Sequence, residues 1–338
     1  MNQRSNTTIQ DIAKAANVSK STVSRVLNDS TPVAPQKREA VLEAMRRLQY
    51  QPNLVARSLA GGNSMTIGIV TQNIGSPFYD SVTQGVIQGV SESTYSPIFA
   101  DGRWDPEWEA KAIDTLVNRN VDGMVIVGGS LSAAQLEEHC QGKPVVVCAR
   151  RLEAMPDSCI GIDNVQAAHD AVRFLIESGH QRIAHICGIR EHRDAQDRYE
   201  GYCRALADAQ IPLDPELVVD GNFSSQSGVL AVETLLLRGV SFTAIFAAND
   251  EMAMGVRLAL YRRGIRVPEE VSIVGFDNQP HSAFMTPPLT TVEQPANRMG
   301  QVAANLLLAK LCKEPYQPPE LETQLIVRDS VRRWVREP

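Results

Sequence analysis

Residues 8–28 read Thr8-Ile9-Gln10-Asp11-Ile12-Ala13-Lys14-Ala15-Ala16-Asn17-Val18-Ser19-Lys20-Ser21-Thr22-Val23-Ser24-Arg25-Val26-Leu27-Asn28. Ile9, Ile12, Ala13 and Ala16 recur at helical spacing, and Thr8 followed by Asp11 fits a capping pair. Asn17 tolerates the left-handed conformation that closes a helix, and Val18 can plug the angle between two helices. Ser19 then caps a second helix whose inward face is Val23, Val26 and Leu27. Lys20, Ser21, Thr22, Ser24 and Arg25 are left to look outward. A third helix is expected from about Pro35 to Gln49, with Val41, Leu42, Met45 and Leu48 on one face. Three short helices with a hydroxyl-rich second one describe a helix-turn-helix head.

The charge distribution agrees with that head. Residues 1–62 hold nine Lys and Arg against four acids, a balance of +5, whereas the remainder carries −11. A small basic head on a large acidic body suits a chain whose head alone meets a polyanion. After the head, Pro52 breaks the chain and Gly61-Gly62 ends the next segment. The two helical turns between them are marginal alone and need a partner to order.

From Thr66 onward the pattern changes. TIGIVT, PIFAD, GMVIVGG, PVVVCA, RIAHICG, ELVVDG, AIFAAND and VSIVGFD are short β-branched runs followed by turn residues. Helical patterns lie between them, over Tyr79–Ser93, Glu107–Arg119, Val165–Ser178, Arg198–Ala209, Ser224–Arg238 and Glu251–Arg263. Such alternation means parallel sheets covered on both faces. Spacing leaves open one barrel or two doubly wound lobes.

The 338 residues, 43% hydrophobic and 21% charged, allow two or three domains and exclude a disordered acidic chain or a disulfide miniprotein. No run approaches the ~18 apolar residues of a membrane span, and the polar N-terminus lacks a secretory signal, so a cytoplasmic location is expected. Cys140, Cys148, Cys159, Cys187, Cys203 and Cys312 are scattered without ligand spacing and read as reduced thiols. His180 and His185 lack a third ligand nearby and read as turn and core residues. No metal or cofactor is expected.

The order TIQDIAKAANVSKSTVSRVLN, YQPNLVARSLAGG, FAANDEMAMGVRLAL, VSIVGFDN resembles the LacI/GalR family of bacterial transcription regulators along nearly the whole chain. That resemblance implies lobes rather than a barrel: an α/β core of two doubly wound parallel-sheet lobes, periplasmic-binding-protein-like, with three chain crossings. It implies a head over 1–50, a hinge helix and linker over 51–62, and a core over 63–338. The N-lobe is expected at about 63–164 and 290–324, the C-lobe at about 165–289 and 325–338. Partners implied are a near-palindromic double-stranded DNA operator, a small-molecule effector and a second copy of the chain. No leucine-heptad tail is present, so a dimer is expected.

By the same resemblance Lys20 and Ser21 choose operator bases and Arg25 lies one turn further along. Arg pairs with guanine O6 and N7, while hydroxyls contact bases without strong preference. Thr8, Ser19, Thr22, Ser24, Asn28, Tyr50 and Asn53 match positions that hold phosphates or close the head. Ala34 departs, since relatives more often place a capping Ser or Thr there. Ala56 falls among the hinge's DNA contacts, and Leu59 matches a leucine wedged into the minor groove.

Ligands of doubly wound sheets bind beyond the carboxyl ends of the strands. Phe78, Tyr79, Asp101, Arg150, Asp163, Arg198, Phe223, Asn249 and Asp277 fall there. Carboxylates, amides and forked arginine suit sugar hydroxyls, and an aromatic ring suits the apolar sugar face. The resemblance places Arg198, Asn249, Asp277 and the aromatic Phe223 in the ligand site. Asp250 is expected to order the loop, and Asp163 divides evenly between ligand and structure. Ala149 departs, because sugar-responsive relatives often carry Asn or Asp there. The leading expectation is a repressor of carbohydrate-utilisation genes released by a sugar or glycoside. A purine-type corepressor is its main rival. A transport protein is opposed by the head and the absent signal. A glycoside-processing enzyme would need two of Asp101, Asp163 and Asp277 at catalytic separation.

Overall fold

The computed structural model describes residues 7–28, 32–48, 50 and 63–334. Chain contacts divide it into Met1–Ser64 and Met65–Pro338.

The first unit holds α1 (Ile9–Ala15), α2 (Lys20–Asn28) and α3 (Pro35–Arg47). Thr8 and Asp11 form a reciprocal capping box at the start of α1. Asn17 adopts φ 51° and turns the chain. Ile12, Ala13, Val23, Val26, Val41 and Ala44 are buried together, with Val18, Leu27, Met45, Leu48 and Tyr50 packed against them. Leu42, expected inward, is 43% exposed. The buried face of α3 runs through Val41, Ala44, Met45 and Leu48, and Leu42 sits one residue off that stripe. Ala34 provides no side-chain cap, as expected.

The second unit begins with β1 (Thr66–Thr71), α4 (Pro77–Val90), β2 (Ser96–Asp101), α5 (Pro106–Asn118), β3 (Gly123–Val127), α6 (Ala133–Cys140), β4 (Val145–Cys148) and β5 (Cys159–Ile160). It continues through α7 (Asn164–Glu177), β6 (Ile183–Ile186), α8 (Arg193–Asp208), β7 (Val218–Val219), α9 (Ser225–Arg238), β8 (Ala244–Ala247), α10 (Asp250–Arg262) and β9 (Ser272–Asp277). It closes with β10 (Thr290–Glu293), α11 (Ala296–Cys312) and β11 (Gln324–Ile326). All eight anticipated runs contain strands; β5, β10 and β11 were not anticipated.

The strands form two sheets, ordered β2-β1-β3-β4-β5 and β11-β10-β9-β8-β6-β7. Pairing is parallel throughout except for β11 on β10. Without β11, the second sheet repeats the order of the first. Each lobe is thus one doubly wound unit with the same switch point between its first and third strands. The chain passes between lobes after β5, after β10 and again between α11 and β11.

The expected N-lobe boundary at 290 needs correction, because β10 pairs with β9 in the second sheet. Thr291 donates its hydroxyl to buried Asp250, and the backbone N–H of Thr290 donates to Ser330 Oγ. These polar ties anchor 290–293 to the C-lobe. The N-lobe regains the chain at α11, which packs on α4. A Cβ on Gly85 would lie 1.9 Å from the Asn297 carbonyl oxygen, so the two helices approach backbone to backbone. Among the described residues no helix is long and apolar enough to cross a membrane.

Candidate functional sites

On the head, Ser19 Oγ accepts the Thr22 N–H at 3.2 Å and lies 2.7 Å from Ser21 Oγ and 2.9 Å from Thr22 Oγ1. Capping therefore occupies part of the hydroxyl cluster at the start of α2. Lys20, Ser21 and Arg25 are exposed, and Thr22 and Ser24 are half-buried. Helical periodicity sets Ser21 and Arg25 on the arc opposite Val23, Val26 and Leu27, with Lys20 and Ser24 flanking the apolar face. Thr8 is exposed and engaged in its capping box. Tyr50 packs on the head core, its N–H donating to the Met45 carbonyl. Asn53, Ala56, Leu59 and the side chain of Asn28 lie outside the described residues, as does the expected hinge helix.

In the second unit, the two lobes enclose a cavity of about 340 Å³ beyond the carboxyl ends of their strands. Phe78 and Tyr79, in the first turn of α4, line it beside Arg198, Phe223, Asn249 and Asp277. Six of the eight expected ligand residues are thus brought together.

Asp101 and Arg150 do not line it. The Asp101 carboxylate accepts the Arg103 N–H at 3.0 Å and shapes the turn after β2. Arg150 donates to the carbonyls of Gly129 and Leu131, each at 2.8 Å, and borders a neighbouring cavity of about 20 Å³. Asp163 caps α7 by accepting the Gln166 N–H, which favours its structural reading. Buried Asp250 accepts the Gln279 N–H and the Thr291 hydroxyl, ordering the loop as expected.

Sequence reasoning missed Trp104, Asp194, Gln279 and Gln294. Trp104 carried a usable signal: it follows a strand and directly precedes Asp105-Pro106, a helix start. Trp104 and Phe223 stand at matching places in the two lobes, each just before the cap of the helix that follows the second strand of its lobe. Both take left-handed backbone, φ 56° and 65°. Asp105 and Ser224 provide the caps. The His192 ring stacks 4.3 Å from Trp104 and 6.3 Å from Phe223, centroid to centroid.

The polar side is tightly wired. Asp277 Oδ1 accepts Gln294 Nε2 at 2.6 Å, and Oδ2 accepts Gln279 Nε2 at 3.2 Å. Burial raises its carboxyl to about 6, against the opposing pull of the Arg198 guanidinium and the two amides. Arg198 donates to Asn164 Oδ1 and the Ala248 carbonyl, and its guanidinium lies 3.9 Å above the Phe276 ring centroid. Asn249 accepts the Met252 N–H as cap of α10 and donates to the Phe223 carbonyl. His180 and His185 bond to Thr243 Oγ1 and the Phe246 carbonyl, respectively. Among the described residues no His, Cys, Asp and Glu cluster could hold a metal ion.

A helix-turn-helix head on a two-lobed core with a polar, aromatic-walled cleft is the build of a ligand-responsive DNA-binding regulator. Residues 8–53 match the family described as bacterial regulatory proteins, lacI family, and residues 172–331 match a periplasmic binding protein-like domain. Catabolite control protein A of Priestia megaterium is 37% identical over 311 residues, covering 91% of this chain and 94% of that protein. A solved CelR–cellobiose complex is similar with TM-score 0.72 and 34% identity, over 96% of this chain and 99% of that one. The lac repressor dimer bound to operator and the anti-inducer ONPF is similar with TM-score 0.86 and 28% identity, over 97% and 100% of the two chains. The chain belongs to the LacI family of bacterial transcriptional regulators.

Proposed function

We propose that the protein is a cytoplasmic homodimeric repressor that binds a near-palindromic operator and leaves it when a sugar or glycoside fills the core cavity. The supporting observation is that cavity, where aromatic walls and buried hydrogen-bonding side chains face one space. Lys20, Ser21 and Arg25 read bases, and the surrounding hydroxyls and Tyr50 hold the head on phosphates. Residues 1–50 are the head, 51–62 the hinge that couples it to the core, and Asn53, Ala56 and Leu59 the hinge's DNA contacts. The cleft senses its ligand without transforming it, a reading supported by relatives that are transcriptional regulators.

Operator titrations with and without sugar test this reading, in the wild type and in Asp277→Ala. The wild type should lose affinity on adding sugar, by a coupling of roughly 1–3 kcal/mol. Asp277→Ala should bind operator and ignore the sugar. Arg25→Ala should lose specific operator binding while its ligand titration stays normal. Tighter operator binding with ligand would make the protein corepressed, the purine-type alternative.

A further inference from the structure

The cavity is asymmetric in charge and in hydrogen-bonding sense. Asp194, Glu251 and Asp277 line it against a single guanidinium, that of Arg198. Arg198 is already engaged by Asn164 and Ala248, with carboxylate oxygens of Asp194 and Asp277 each 3.9 Å away. Gln279, 4% exposed, lines the same space, and its Oε1 is buried with no hydrogen-bond partner among the described residues. Its charged side therefore offers carboxylate and amide oxygens to a ligand's donors. A phosphate or carboxylate brings negative charge and only further acceptors.

Arg298 lines an adjoining cavity beside the Glu293 and Asp277 carboxylates, and Arg150, Arg151 and Arg193 border a neighbouring one of about 20 Å³. That volume holds about one water molecule, too little for an anionic head group. Size adds a second constraint. The main cavity, about 340 Å³, is roughly twice what one close-packed pyranose ring fills. The matched aromatics Trp104 and Phe223 add one ring from each lobe to its lining.

Resting on the sugar-sensor reading above, we infer that this cleft selects an uncharged two-ring glycoside and rejects phosphorylated and uronic sugars. One unit charge about 6 Å from a like charge, at the effective dielectric of a protein site, weakens binding roughly a hundredfold.

Calorimetric titration of the full chain with cellobiose, maltose, sucrose, glucose, glucose 6-phosphate, galacturonate and hypoxanthine tests this. At least one of the three disaccharides should bind at least about tenfold tighter than glucose, and roughly a hundredfold tighter than either anion. Asp194→Asn combined with Glu251→Gln should narrow the gap between neutral and anionic ligands. Galacturonate or glucose 6-phosphate binding as tightly as the disaccharides would overturn the inference while leaving a sugar sensor standing. Glucose matching every disaccharide, or no disaccharide binding, would overturn it also. Hypoxanthine as the sole ligand would remove the sugar reading itself.

Discussion

The two lobes share one strand order but equip the cleft differently. The N-lobe contributes Phe78, Tyr79 and Trp104, rings held by packing and edge-on contacts 5.2–5.3 Å between centroids. The C-lobe contributes Arg198, Asn249 and Asp277, each fixed by at least two hydrogen bonds. The fourth strand of each sheet makes the contrast plain. Ala149 follows β4 with φ 61°, whereas β9 ends in Asp277 with φ 113°. Both stations have positive φ, but one carries a methyl and the other a carboxylate. An apolar ring needs only neighbours to keep its place, while a desolvated polar group must be pinned by partners. One scaffold thus yields an N-lobe wall that is mainly aromatic and a C-lobe wall that sets directed hydrogen bonds beside the Phe223 ring.

The wired half should fail hardest. Arg198→Leu leaves Asp277 and Asp194 without their cation and should cost about 3–5 kcal/mol of core stability, read by urea denaturation. A loss below about 1 kcal/mol would break the contrast between the lobes.

Acid should act next. With its carboxyl raised to about 6, Asp277 loses its charge as pH falls through that value, and effector affinity should fall with it. Its effect on stability has the opposite sign. A raised carboxylate costs folding energy when charged, so this group's contribution improves on acidification. Neutral His185, lowered to about 4 by burial, works the other way and loses stability as pH falls from 6.5 toward 4. Affinity and melting curves between about pH 5 and pH 8, for wild type and Asp277→Asn, separate the two groups. The variant should flatten only the Asp277 part.

On the aromatic wall, Trp104→Ala should weaken the effector about tenfold in a fluorescence or calorimetric titration. It should disturb the fold far less than Arg198→Leu. Asn249→Ala, which removes the cap of α10 and the tie to Phe223, should cost about 1 kcal/mol in a thermal melt. A larger cost there than at Arg198 would invert the ranking.

Most of the architecture was legible because long apolar runs and amphipathic helices repeat strongly between 66 and 277. The strands that escaped notice, β5, β10 and β11, are two to four residues long, the same range as β4, β6, β7 and β8. They lack the apolar, β-branched run leading straight into turn residues that marked most of those. The polarity of α2 was legible for a related reason: its inward face, Val23 and Val26, is apolar and its outward face is not. The cleft divided by how each residue reaches it. Phe78 and Tyr79, at a helix start, and Asp277, at the end of β9, line the cavity. Trp104 was missed and Asp101 chosen because a tight turn after β2, with Arg103 and Trp104 both at positive φ, passes the lining role three residues onward. Gln294 was missed because its role depends on β10 joining the second sheet, a long-range pairing that local pattern does not encode.

The three crossings between the lobes have a mechanical consequence. A single tether would let one lobe swing and twist freely on the other. Three tethers at different places, over 161–163, 294–295 and 313–323, act like the leaves of a flexure. Sliding and twisting stretch at least one leaf, whereas bending about their common line stretches none. Such a joint retains essentially one soft coordinate, an opening angle, and resists the rest. Whatever occupies the cleft bears first on that angle.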